Sequence, residues 1–179
     1  MNEVQPIKDV KKINEIKIYL KNKSDRNYFL FVLGINVGFR ISDLLNLPIS
    51  SLTGTHISIT EKKTGKSKRF FINPQLRIEI DEYIKGKSAE EFLFPSRKGN
   101  RPITKIQAYN ILNEAGTAAG LESIGTHTLR KTFGYWHYKQ FKDVAVLQKL
   151  FNHSSPSVTL RYIGIDQDEI DSTLSGFFL

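Results

Sequence analysis

Cysteine is absent from the chain. That excludes a disulfide frame, a thiolate nucleophile and a Cys-based zinc site, and it fits a reducing, cytoplasmic setting. Acidic groups are scarce beside basic ones, 18 against 26, for a net charge of +8. Such a balance points toward a polyanionic partner. The longest apolar run, YFLFVLGINVGF at 28–39, is too short to span a bilayer and reads as a buried helix, and MNEVQPIKDVKK lacks the apolar run of a signal peptide. No membrane partner is expected. None of the four histidines, His56, His127, His137 and His153, forms HExxH, and no carboxylate cluster suggests magnesium. There is no GxxxxGK[ST] loop and no GxSxG elbow, so the usual hydrolase and nucleotide-binding readings lapse. No cofactor and no metal is expected.

What is present suits one domain. The 179 residues are 40% apolar and 25% charged, without repeats, low-complexity segments or a long linker. Apolar spacing predicts helices over about 9–21 and 25–37, the latter stopped by Gly38, and a short one in RISDLLNLP before Pro48. HISITEKKTGKSKRFFI alternates as a β-hairpin turning near Thr64 and Gly65. A helix over about 74–84 and a loop with Pro95, Gly99 and Pro102 follow. Thr104 and Gln107 form a capping-box pattern for a helix to about 119, and another helix spans about 127–141. Asp143 caps VAVLQKLF, whose Val144, Val146, Leu147, Leu150 and Phe151 can face a core. Asn152 ends it, and Ser155 with Pro156 opens one more helix. QDEIDSTLSGFFL reads as a short amphipathic terminal helix. The expected fold class is mainly α with a small antiparallel β-sheet.

Several groups could serve chemistry if they converge. Arg40 follows a helix stop, and His127 and Arg130 of HTLR share one helix face. Lys62, Lys63, Lys66, Lys68 and Arg69 crowd the hairpin, and His153 precedes Tyr162 by nine residues. Two guanidiniums grip a phosphate in forked geometry and stabilise charge building on its oxygens. A tyrosine hydroxyl, with a pKa near 10, needs a base and nearby positive charge to act as nucleophile, and histidine is a suitable base. The resulting chemistry is metal-free attack on a phosphodiester, storing bond energy in a phosphotyrosine. Singly, each group has a plainer reading: Arg40 and Asp43 as a surface ion pair, the lysines as solvated cations, Tyr162 as a packing residue.

Taken in order, GFRISDLL, the KTG of the hairpin, HTLR and NHSSPSVTLRY resemble the signature of the tyrosine recombinases, the phage-integrase family, over about 8–162. The resemblance implies the recombinase catalytic-domain fold, with 8–163 as core and 164–179 as a tail that docks on a neighbouring protomer. It implies that Arg40 and Arg130 hold the scissile phosphate and that Lys63 is the general acid toward the 5′ oxygen. His127 is then the acid/base histidine, His153 donates to the phosphate, and Tyr162 forms the 3′-phosphotyrosine. Asp43 would support the first arginine, and Lys62, Lys66, Lys68, Arg69, Lys131 and Arg161 would contact DNA. The implied activity is site-specific integration or excision of a mobile element's DNA. The implied partners are double-stranded DNA, a tetrameric synapse of the same chain and an accessory DNA-bending protein, in the cytoplasm or on the nucleoid.

The sequence departs from the family's pattern in three ways. Asn152 stands where a glycine usually precedes the second histidine, and Lys131 stands where histidine often follows the HxxR arginine. The N-terminal core-binding domain is absent, which fits either a fragment of a longer integrase or a single-domain recombinase similar to the fimbrial-switch invertases; the abrupt start favours the fragment. Two rival functions remain: a non-catalytic helix–turn–helix DNA binder, with Arg161 on DNA, and a type IB topoisomerase-like relaxing enzyme. A structural or interaction domain would leave the arginines and histidines on unrelated surfaces.

Overall fold

The side chain of Asp9 accepts from the Lys11 amide and opens α1, Val10–Lys23, whose Ile13, Ile16 and Leu20 are buried at helical spacing. The computed structural model describes residues 4–60, 65, 67–122, 124–165, 171–172 and 174–178. Helix α2, Asp25–Val37, is the apolar run expected at the centre, with residues 29–34 all buried. Gly38 stops it at φ 62°, a left-handed conformation that glycine adopts without cost. Next come α3, Ile41–Leu44, and a 3-10 turn, Ile49–Leu52, that local sequence does not announce.

Strands β1, His56–Thr60, and β2, Ser67–Phe71, pair antiparallel with His56 opposite Phe71. Helix α4, Pro74–Ile84, starts with Asn73 as cap and proline in its first turn. Helix α5, Lys105–Ala118, carries the expected capping box between Thr104 and Gln107. Then follow α6, Thr126–Phe141, α7, Val144–Phe151, and α8, Pro156–Tyr162. The mainly helical architecture with one small sheet is the fold class that the sequence implied.

Two apolar cores share the work. The larger joins α1, α2, α4 and α5 with the sheet, and α6 enters it through Leu129. The smaller gathers Phe133, Tyr135, Leu147, Phe151, Ile163 and Ile165 around α6, α7 and α8. Phe70 and Trp136 pack against both. Of the five apolar residues expected to face a core from α7, only Leu147 and Phe151 are buried, and Val146 is 41% exposed. Eight residues give a helix two turns, and residues four apart make a single buried stripe.

The amino-terminal segment braces the smaller core. Ile7 donates from its amide to Thr132 Oγ1 at 2.9 Å and accepts at its carbonyl from Trp136 Nε1 at 2.9 Å. Lys8 donates to the Gly164 carbonyl at 2.7 Å, just past α8. In the tail, Leu174, Phe177 and Phe178 are 61%, 66% and 96% exposed. Among the described residues, no helix is long and apolar enough to cross a membrane.

Candidate active site

Helix α6 is the spine of the site. Its residues 128–135 are all buried, so the side chains that follow His127 are held by packing on every side. The Arg130 guanidinium, 5% exposed, donates to the Gly38 carbonyl at 2.6 Å and to the Phe151 carbonyl at 3.0 Å. It thereby ties the end of α2 to the end of α7, and it stacks 4.2 Å from the Phe151 ring centroid. Guanidinium is a planar group of five donors, and these two bonds fix its orientation.

The turn between α7 and α8 delivers the second histidine. Asn152 ends α7 at φ 55° and ψ 47°, the left-handed conformation that its short polar side chain tolerates. His153 then donates from its amide to the Gln148 carbonyl at 3.0 Å. Its ring Nδ1 lies 3.1 Å from the hydroxyl of buried Thr159, so a ligand contact from this ring falls to Nε2. Ser155 caps α8 by accepting from the Val158 amide, and seven residues later α8 ends at Tyr162.

Tyr162 is where the elements meet. Its hydroxyl lies 3.5 Å from His127 Nδ1, the long end of hydrogen-bond range. Its ring stands edge-on to His153 with centroids 5.0 Å apart and to Phe151 with centroids 5.6 Å apart. Burial holds the His127 pKa below the ordinary imidazole value, and the positive charges of Arg130, Lys131, Arg40 and Lys105 push it further down. The imidazole is therefore neutral at neutral pH and able to take a proton. Arg40 is half-buried just past α2, and Asp43, 7% exposed, sits in the first turn of α3 with its amide bonded to the Arg40 carbonyl.

The remaining sequence candidates divide. Lys62, Lys63 and Lys66 lie outside the described residues, and Lys68 is described only as the β2 position opposite Ile59. Arg69 is exposed, with Nη2 3.4 Å from His56 Nδ1, and it borders a crevice shared with Arg130 and Phe151. Arg161 is exposed on α8. Lys131, expected to contact DNA, is 3% exposed with Nζ 5.1 Å from the Tyr162 ring centroid. The cause is the packing of α6, which leaves its N-terminal half no solvent face after His127. Lys105 acts on His127 from the start of α5, which sequence spacing gave no means of anticipating. Cavities of about 290 and 510 Å³ lie between α1, α2 and α4, lined by Lys21, Tyr28, Glu79 and Glu82 but by none of the candidates.

Comparison with known proteins places this arrangement. The sequence model of the phage integrase family matches residues 6–169. A probable integrase/recombinase, YoeC, of Bacillus subtilis is 53% identical over 94% of this chain and 93% of its own length. A tyrosine recombinase of Pseudothermotoga lettingae is 30% identical over 84% of this chain, which spans about half of that relative, 54%. Among solved structures, a XerA recombinase superposes with a TM-score of 0.76 at 18% identity, covering 97% of this chain and 66% of that one. The catalytic domain of bacteriophage HP1 integrase gives 0.65 at 18% identity, covering 97% and 95%.

Proposed function

This chain belongs to the phage integrase family, and from that premise we propose that it is a tyrosine-type site-specific recombinase that cleaves and rejoins DNA without a metal. The observation that carries the reading is the Tyr162 hydroxyl 3.5 Å from a neutral imidazole, ringed by cations of α6 and the ring of His153. Neither the helix–turn–helix binder nor the relaxing topoisomerase is favoured. A mere binder has no use for a phenol held against a base.

The steps follow from the chemistry. Arg40 and Arg130 bind the scissile phosphate. His127 takes the phenolic proton as the Tyr162 oxygen bonds to phosphorus. The bond from phosphorus to the 5′ oxygen breaks, Lys63 protonates the departing oxygen, and His153 donates through Nε2 to a phosphate oxygen. Charge moves onto preorganised donors, where such donors are worth several kcal/mol. The product is a 3′-phosphotyrosine and a free 5′ hydroxyl, whose attack in another duplex completes the exchange. Asp43 supports Arg40, while Arg69, Arg161 and the cations of the hairpin, Lys62, Lys66 and Lys68, hold flanking phosphates.

The catalytic core spans 8–163, with 164–179 as a tail toward a second protomer, and the enzyme works on double-stranded DNA as a tetramer in the cytoplasm, on the nucleoid when bound. DNA integration or excision for a mobile element, assisted by a DNA-bending protein, is the role that follows. The test is covalent trapping on nicked, fragmented host DNA, followed by denaturation and sequencing of protein-linked ends. Ends joined through a 3′ phosphate, clustered at one sequence and lost in Tyr162→Phe while DNA binding persists, are expected. Ends independent of Tyr162, or none with binding intact, would overturn the reading.

A further inference from the structure

Lys131 is the one residue whose placement neither the sequence pattern nor the steps above account for. An ammonium buried to 3% exposure loses most of its hydration, a cost that an apolar side chain of the same length would not incur. What it gains is a position over the ring of Tyr162, 5.1 Å from the centroid. Lys131 stands four residues after His127 on α6, so both side chains leave the same face of the helix. One of them meets the hydroxyl and the other the ring.

The geometry assigns Lys131 the role of a positioning residue for the nucleophile: its charge pins the Tyr162 ring and stabilises the phenolate as the proton leaves. This rests on the recombinase reading for its consequence in DNA cleavage, but not for the interaction itself. The proton passes from Tyr162 Oη to His127 Nδ1. His127, Lys131 and the ring of His153 contact Tyr162, Arg130, Arg40 and Lys105 act on His127, and Arg161 is exposed on α8 itself. Lys131 also helps hold His127 in its neutral form. A single cation therefore eases both the departure of the proton and the readiness of the base. Its ammonium lies over the phenol's ring, 5.1 Å from the centroid.

The experiment uses the full chain with isotope-labelled tyrosine and histidine, titrated by NMR as wild type, Lys131→Met, Lys131→Arg and Tyr162→Phe, the last assigning the Tyr162 signal. In Lys131→Met the midpoints of Tyr162 and His127 should both rise, Tyr162 by about one pH unit or more, and Lys131→Arg should restore them. An unchanged Tyr162 midpoint in folded Lys131→Met overturns the assignment, because a purely packing role moves neither signal. If Lys131→Met does not fold, the ring current decides: the Lys131 ε-methylene signal should be displaced in wild type and relax in Tyr162→Leu, and an undisplaced signal overturns the assignment. On nicked DNA, Lys131→Met should form the covalent complex at least about tenfold more slowly at neutral pH and recover as pH rises. Absence of any Tyr162-dependent complex in wild type would sink the recombinase reading alone, leaving Lys131 to the titration.

Discussion

His127 and His137 are both held below the ordinary imidazole pKa, His127 by burial and four cations, His137 by burial that Asp143 partly opposes. The folded state therefore binds fewer protons than the unfolded chain as pH falls through about 6.5, so stability should drop with falling pH from there down through the folded pKa values. Thermal melts should show a lower midpoint at about pH 5 than at about pH 7, and His137→Gln should flatten that slope without touching Tyr162. A midpoint independent of pH across this window would contradict the lowered pKa of both rings. At this scale the sequence names candidate residues but not how they are held. Arg40, His127, Arg130, His153 and Tyr162 stand out through the ordered motifs that resemble the tyrosine recombinases, with a chemistry of two guanidiniums, a base and a hydroxyl that suits a phosphate. That Arg130 spends two donors on the carbonyls of Gly38 and Phe151 could not be read, because those carbonyls lie 92 and 21 residues away along the chain. The buried setting of Lys131 was hidden for the same reason. A lysine looks like a surface residue until its neighbours are in place.

Helix boundaries were the most legible feature because capping is local. Asp9, Gly38, Asn73, Thr104, Asp143, Asn152 and Ser155 each mark an end within a residue or two of where the sequence puts it. The 3-10 turn at Ile49–Leu52 was not legible, since its amides reach across to the carbonyls of Glu91 and Ala89. Nor was the contact that sets the spacing of α6 and α8. A methyl group placed on Gly134 would lie 2.5 Å from Ile163 and 2.8 Å from Phe151, so these elements touch at backbone distance. Gly134→Ala should therefore cost about 1–3 kcal/mol as the smaller core spreads. Because Ile163 adjoins Tyr162, the covalent complex should form more slowly even where the variant stays folded. Calorimetry beside a trapping assay checks both, and an unchanged melt would mean that the helices separate without loss.

At the scale of the whole molecule, the tail poses the remaining physical question. Leu174, Phe177 and Phe178 stand well exposed beside a domain whose other large side chains are mostly inside. Three such groups close in sequence lose about 1.5–3 kcal/mol each by staying in water rather than in a pocket. On the proposed recombinase reading, a second copy of this chain on the same DNA is the partner that would bury them. Deleting 168–179 should then leave a single protomer binding its DNA with unchanged affinity, because no DNA-facing candidate lies in that segment. Assembly of several protomers on paired sites should weaken, seen in sedimentation as complexes of lower stoichiometry. Phe178→Asp should act in the same direction, since a carboxylate cannot enter an apolar pocket without a partner. Unchanged stoichiometry in both variants would place the contacts between protomers on the folded domain itself, and the exposed phenylalanines would need a different occupant.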